Sequence, residues 1–374
     1  MQWLVDIDTA VADGILTVDS GGELKRRARD AMIAYAINLA LFAGVAMVIG
    51  GAAAWLEDRR ALGALGAVLT LFGTLTLLHG GPRVRLVANA TAIIGVTLAI
   101  GAFTDLLFEG RTQRVFIGSA LGLPAVAVGW VMRRRFPASL SILGGWMLLL
   151  GAAVHVGGIL TTESELGLEW MVLHYAGAVA IACGFVLDVR FVTASAIVPL
   201  AAALSSRTFY DHAIYGVSIY EATLTILQMS LFAALAFLVT LHVGERMARH
   251  ARAIGQMALI WANMAFWIGS LWGDAVGLYL WHANPDQALT ISADVFAALW
   301  ALGIIAVGAW GAFTGRRAVL NISVTFGAIH FYTQYFERLK TTPEAITIAG
   351  VIAILVAWAL WALNRRLARR VVTT

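Results

Sequence analysis

The chain has 374 residues, of which 60% are hydrophobic and 13% are Asp, Glu, Lys or Arg, and its mean hydropathy is +0.82. Soluble domains carry about 25% charged residues, so this composition excludes an ordinary water-facing surface and makes hydrocarbon the solvent. The formal charge of +4 comes from basic residues in short loops between apolar runs, which excludes a nucleic-acid footprint; the lone Cys183 excludes an intrachain disulfide and a cysteine-cluster metal site.

Residues 1–30 read as a cytoplasmic, amphipathic N-terminal segment. Asp6, Asp8, Asp13, Asp19, Glu23 and Asp30 precede any long apolar stretch, the reverse of a secretory signal. Trp3, Leu4, Ile7, Val11, Ile15 and Leu16 give it a heptad-like apolar face, and Asp19-Ser20-Gly21-Gly22 reads as a turn before the first basic cluster. A solvated cap is the plain reading of this segment; a partner-docking surface is the other.

A membrane span needs about 20 mostly apolar residues. In chain order such runs are Ala31–Trp55, Ala61–Leu78, Leu86–Leu107, Val115–Met132, Leu140–Leu160 and Trp170–Leu187. Phe191–Ser206, short and holding Pro199, is the seventh. Ile214–Val243, Ile254–Trp281, Ala288–Phe313, Ala318–Phe336 and Ile346–Leu363 complete twelve. The expected fold class is therefore all-α, a polytopic bundle of about twelve transmembrane helices over residues 31–363, followed by a basic cytoplasmic tail, 364–374.

Basic residues favour the cytoplasmic side of a membrane. With the N-terminus inside, 19 of the 26 basic residues fall on inner segments: Lys25, Arg26, Arg27, Arg29, Arg83, Arg85, Arg133, Arg134, Arg135, Arg190, Arg246, Arg249, Arg252, Arg316, Arg317, Arg365, Arg366, Arg369 and Arg370. Dropping the seventh run would reverse the later assignments and destroy this agreement. Twelve crossings with both ends in the cytoplasm of a bacterial inner membrane is the expectation.

The third run opens Arg85-Leu86-Val87-Ala88-Asn89 and the eleventh Arg317-Ala318-Val319-Leu320-Asn321; the seventh opens Arg190-Phe191-Val192-Thr193-Ala194. The interval suggests three four-helix repeats, although any helix starting inside tends to open with Arg, which explains most of the match.

Ionisable side chains within spans are costly and mark functional sites by default. His155, His174, Glu221, Asp274, Asp294 and His330 fall four to seven residues from the outer ends of their runs, roughly 6–11 Å deep at the helical rise. Asp105 sits at the same rim. Tyr175, Tyr220, Trp272, Tyr279, Tyr332, Gln334 and Tyr335 thicken the layer, and His330 and Gln334 share a helical face from which Tyr332 diverges. His155, His174, Glu221, Asp274, Asp294, His330, Tyr332 and Asp105 are accordingly the candidate solute-binding residues. Each has a plainer reading: Glu221 and Asp274 as bundle-locking partners of His or Arg, the histidines as structural hydrogen-bonders, Pro124 and Pro199 as tolerated kinks. No HxxE or HxxxH spacing suggests a metal, and no phosphate loop, nucleophile elbow or haem pair suggests a cofactor or a catalytic centre. Glycines such as Gly50-Gly51, Gly63/Gly66 and Gly144-Gly145 read as close helix packing.

The two ends resemble the DUF2157 family of uncharacterised prokaryotic multi-pass membrane proteins. The residues that carry the likeness are Trp3 with Gly14-Ile15-Leu16 at the start, and Arg317-x-x-x-Asn321 leading to Tyr332-x-x-Tyr335-Phe336-Glu337 before the Arg-rich tail. It covers roughly the first fifty and last sixty residues, and it implies architecture rather than activity.

Three functions follow as expectations. The first is binding or transport of a small solute from the periplasmic side. The second is a non-transporting sensor or an accessory subunit that scaffolds an envelope complex, with a membrane-protein partner or a second copy. The third is an intramembrane enzyme on a lipid-linked substrate, with the outer His/Asp/Glu cluster as acid and base.

Overall fold

The computed structural model describes the backbone of residues 14–55, 58–81, 84–107, 113–136, 138–163, 169–203, 206–211, 214–278 and 288–339, with Ile7, Val11, Thr347, Gly350, Val351 and Ile354. Of 103–107, 113–121, 138, 161–163, 169, 206–211, 214–218 and several positions in 31–54 the backbone alone is described. Helix dominates, as suits apolar runs that would have to satisfy their own backbone hydrogen bonds in hydrocarbon.

The elements in order are α1 (Val18–Trp55), α2 (Arg59–His79), α3 (Arg85–Leu107), α4 (Gln113–Arg135), α5 (Ser141–Glu163) and α6 (Glu169–Leu187). Then come α7 (Arg190–Ser195), α8 (Ile197–Ala202), β1 (Ser206–Asp211), β2 (Ile214–Ile219), α9 (Ala222–Val239) and α10 (Glu245–Trp272). The two-residue strands β3 (Asp274–Ala275) and β4 (Thr290–Ile291), α11 (Ala293–Phe313) and α12 (Arg317–Leu339) complete the described elements. Seven helices among the described residues are long and apolar enough to cross a membrane: α2, α3, α5, α6, α9, α10 and α11. Only 17% of the apolar window of α2 is buried, and Val68, Leu71 and Phe72 stand exposed on it. Such a face suits lipid and would be an aggregation hazard in water.

Three details depart from the sequence reading, and one expected run goes untested. The expected turn at 19–22 is helical, because Thr17 accepts the Ser20 amide at 3.2 Å and starts a helix that runs unbroken to Trp55. The seventh run is two six-residue helices, α7 and α8, followed by the β1–β2 hairpin, so that Ile214–Ile219 is strand rather than helix. The ninth run ends at Trp272, where Gly273 takes φ +73°, a left-handed conformation that terminates a helix readily. The run Ile346–Leu363 lies almost wholly outside the described residues.

The chain divides into two compact units, Met1–Val189 and Arg190–Thr374. The boundary follows the sixth apolar run, which gives no support to repeats of four helices. Just before it, Asp188 takes a φ of +56° at the close of α6.

In the first unit α2 packs along α3 and α4 along α5, each pair meeting on small residues seven apart. A Cβ on Gly73 would lie 2.6 Å from the Ala92 amide, and Gly66 is pressed against the Ala99 backbone. On the other pair, a Cβ on Gly151 would lie 2.7 Å from the Gly122 carbonyl, while Gly129 and Gly144 meet two turns away. The expected close packing therefore holds at Gly66 and Gly144, whereas a Cβ on Gly50 or Gly51 would meet none of the described residues within 4 Å. Leu77, Ala88, Ala92, Val96, Leu140 and Leu143 form the core beneath.

The second unit is built on α10, which touches α7, α8 and α9 as well as α11 and α12. Ile197, Leu200 and Ala201 of α8 join Met229, Ala233, Phe237, Ala258, Ala262 and Val319 in its core. Thr193 meets His250 near the start of α10, whereas Glu221 meets the segment following its end. The stretch 190–221 thus travels from one end of the unit to the other, although its helices are short. The break between α7 and α8 is sheathed in protein: Ala196 and Ile197 are fully buried.

Candidate functional site

The C-terminus of α10 and the N-termini of α9 and α11 lie at one end of the second unit. Connecting α10 to α11 is a segment whose described parts pair as β3 and β4, Asp274 opposite Ile291 and Ala275 opposite Thr290. The Val276 amide extends the ladder to the Leu289 carbonyl at 3.0 Å. Two glycines in left-handed conformations, Gly273 and Gly277 at φ +73° and +81°, bracket the turn. A Cβ on Gly273 would lie 2.7 Å from the Ile291 carbonyl, so that position is restricted by space as well as by conformation.

Two carboxylates tie this connector to α9 in opposite senses. Glu221 occupies the N-cap position of α9, yet its side chain makes no capping bond. Instead Oε2 accepts the amide of Gly277 in the connector at 2.8 Å. Asp274, in the connector, supplies the missing cap: its Oδ2 accepts the Thr223 amide at 2.8 Å. Each segment's carboxylate serves the other's backbone. Glu221 is fully buried, Asp274 half-buried and Asp294 exposed in the first turn of α11. The sequence reading set these three acids six or seven residues inside helical spans; they sit at helix ends and in the connector between them.

Further down the bundle α10, α11 and α12 share a polar layer. Trp300 of α11, almost fully buried, donates its indole N–H to Asn263 Oδ1 at 2.8 Å, and Asn263 Nδ2 donates to the Leu259 carbonyl at 2.8 Å. Trp267 donates to Thr333 Oγ1 at 3.1 Å. The His330 ring meets the Trp300 ring edge-on, centroids 4.7 Å apart. Both tryptophan donors are therefore committed, and the indoles offer only ring surface. His330 Nδ1 and Gln334 Nε2 are buried with no hydrogen-bond partner, and so is Tyr335 Oη. His330 and Gln334, four residues apart, lie one above the other on α12.

Of the remaining candidates, Tyr332 is exposed and stacks on Phe336, with planes 13° apart, away from this layer. His155 and His174 belong to the first unit. His155 Nε2 lies 2.8 Å from Tyr175 Oη; His174 Nδ1 bonds the Trp170 carbonyl at 2.7 Å, one turn back on its own helix. The side chain of Asp105 and all of Tyr279 fall outside the described residues. Among the described residues no group of three or more His, Cys, Asp or Glu side chains is placed to hold a metal ion.

Sequence reasoning missed Asn263, an amide inside an apolar run, which is the signal that would have found it. It also missed the buried pair of Thr193 and His250, 2.7 Å apart at the opposite end of the unit, because His250 lies among three arginines and reads as a loop residue.

Compared with known proteins, the chain matches no family model, no curated protein and no solved structure.

Proposed function

We propose that the chain is a multi-pass protein of the bacterial inner membrane whose second unit binds a small polar solute reaching it from the periplasm. The observation that supports this reading is the pair of unpartnered buried atoms on one face of α12, His330 Nδ1 and Gln334 Nε2. A buried polar group without a partner costs on the order of 1–3 kcal/mol. A solute that bonds both atoms against the Trp300 ring would recover that cost. Glu221 and Asp274, engaged with backbone amides, hold the mouth of the site rather than its contents.

Both termini lie in the cytoplasm in this proposal, on the strength of the basic-residue bias. The stretch 190–221 is the seventh of twelve crossings, a broken helix completed by less regular chain. Irregular backbone at membrane depth is tolerated where protein surrounds it, and the burial of Ala196 and Ile197 fits that condition.

The test is thermal unfolding of the purified protein in detergent against a panel of small carboxylates, amides, sugars and amines. At least one solute should raise Tm for the parent chain and leave Tm unchanged for His330→Ala and Gln334→Ala. A solute that stabilises all three proteins equally would place the site elsewhere. Stabilisation by none, with a folded parent, would favour the accessory-subunit reading.

A further inference from the structure

We infer that each unit holds the phosphate of an anionic phospholipid on an arginine that lies across a tryptophan ring: Arg134 over Trp130 at the α4–α5 turn, and Arg316 over Trp310 at the α11–α12 turn. The inference needs a membrane around the protein and is independent of the solute site. The two turns hold the same place in their units. In the first unit α3 touches α1, α2, α4 and α5; in the second α10 touches α7, α8, α9, α11 and α12. With α7 and α8 counted as one broken helix, each unit has a leading helix, a hairpin whose second arm is the hub, and then a second hairpin. That second hairpin packs on small residues in the same register. Gly129 meets Gly144 in one and Gly308 meets Ser323 in the other, each pair fifteen residues apart across its turn.

The guanidinium carbon of Arg134 lies 4.4 Å from the centre of the Trp130 ring. That of Arg316 lies 4.9 Å from Trp310 and 5.0 Å from Phe237, and one of its N–H groups reaches Thr240 Oγ1 at 3.4 Å. A ring against the flat face of a guanidinium fixes its plane and leaves the edge donors open, the geometry that meets a phosphate with two parallel bonds. Among the described residues no carboxylate pairs with either arginine. The sequence supplies none nearby: no Asp or Glu occurs from Thr112 to Thr162, or from Val295 to Phe336. Arg135 and Arg317 add further positive charge at the same turns. In the proposed topology both turns face the cytoplasm, whose leaflet carries the anionic lipid.

Beneath each turn runs a surface for an acyl chain. On α4 the exposed Leu123 and Trp130 share a face with Arg134; on α11 the exposed Leu302 shares one with Phe313, itself 90% exposed. Both intervals, Leu123 to Arg134 and Leu302 to Phe313, are eleven residues. That is roughly 16 Å at the helical rise, about half of a hydrocarbon core about 30 Å thick and so the depth of one leaflet. Phe136 is exposed just past Arg135, as Phe313 is just before Arg316. A water-soluble phosphate would engage the arginine and leave these apolar faces bare. A phospholipid covers both, which makes it the occupant.

The test is native mass spectrometry of the full chain, released from micelles that hold phosphatidylglycerol and phosphatidylcholine in equal amounts. The parent should keep two phosphatidylglycerol molecules under collisional heating that strips the phosphatidylcholine. Arg134→Gln and Arg316→Gln should each keep one, and the double variant none. Arg60→Gln, at the start of α2, should keep both. Should Arg316→Gln fail to fold, Arg134→Gln decides alone, by the loss of one lipid. The same count in the parent and in both arginine variants overturns the inference, and so does retention of the two lipids without preference. Loss of a lipid from Arg60→Gln as well would make the effect one of total charge and overturn it too. Displacement of both lipids by inorganic phosphate would assign the arginines to a soluble anion instead. None of these outcomes touches the solute site, which His330→Ala and Gln334→Ala test separately.

Discussion

Asp274 caps a helix to which it does not belong: its carboxylate accepts the Thr223 amide at 2.8 Å, fifty-one residues away in sequence. Thr223 is the second residue of α9, where an orphan N–H and the positive end of the helix dipole both favour an anion. Asp274→Ala should therefore lower the stability of the purified protein by about 1–3 kcal/mol, since the lost bond involves a charged group. Asp274→Asn should cost less, because an amide oxygen still accepts. Denaturant titration in mixed micelles, following tryptophan fluorescence, checks the order. Equal losses for the two variants would mean that the carboxylate does not bond that amide.

How much of this was legible beforehand varies with the kind of signal. The apolar runs at 61–78, 140–160 and 170–187 coincide with α2, α5 and α6 because length and hydropathy alone dictate a span. The end of α10 was hidden. Leu271 to Trp281 reads as nearly continuous apolar sequence, and the helix stops because of one glycine in a left-handed conformation, which a hydropathy window does not register. The β1–β2 hairpin was hidden differently. Thr208, Phe209 and Tyr210 facing Tyr215, Gly216 and Val217 carry the aromatic and β-branched bias of strands, overshadowed by the apolar helix signals on either side. At the site, the periodicity of α12 correctly joined His330 with Gln334 and separated Tyr332. The pairing of Glu221 with Gly277 was beyond sequence reasoning, because a backbone amide leaves no mark in composition.

His330 provides a separation of stability from function. Its ring packs edge-on against Trp300 and its Nδ1 has no partner. His330→Phe preserves an aromatic ring at that contact and removes the unsatisfied atom. It should leave stability unchanged or raise it by about 1 kcal/mol, in keeping with relief of a buried polar group, while abolishing stabilisation by the solute. Trp300→Phe acts in the opposite sense, because it strands Asn263 Oδ1 and opens a void; the expected loss is about 1–3 kcal/mol. Comparing Tm of the two variants with and without the stabilising solute checks both.

The glycines divide into those that helix packing requires and those that it does not. Gly66→Ala and Gly73→Ala would each drive a methyl into backbone of α3, and Gly151→Ala into backbone of α4. Overpacking of this kind costs typically about 1–3 kcal/mol. Gly50→Ala and Gly51→Ala, near the C-terminal end of α1, add a methyl that meets none of the described residues and should be neutral or slightly stabilising, since alanine is the better helix former by about 1 kcal/mol. Thermal scans of the five single variants test the contrast, and a destabilised Gly50→Ala would reveal a neighbour on that face of α1.

The sidedness of residues 190–221 decides the topology, because the parity of every later crossing depends on it. Val189 precedes α7 and is exposed; Tyr220 follows β2 and is exposed. If the broken segment crosses, these two positions face opposite sides of the membrane, Val189 the cytoplasm and Tyr220 the periplasm. If α7 and α8 merely dip and return, they face the same side. Single cysteines at 189 and 220 in a Cys183→Ala background, with Ser20→Cys as a cytoplasmic reference, can be labelled in spheroplasts with an impermeant maleimide. The expected result is prompt labelling at 220, with 189 and 20 reacting only after the membrane is permeabilised. Labelling at both 189 and 220 only after permeabilisation would make the segment re-entrant and put the start of α9 on the cytoplasmic side, with its predecessor. The basic residues at 246, 249 and 252 would then face the periplasm, against the charge bias, and the solute site would open toward the cytoplasm.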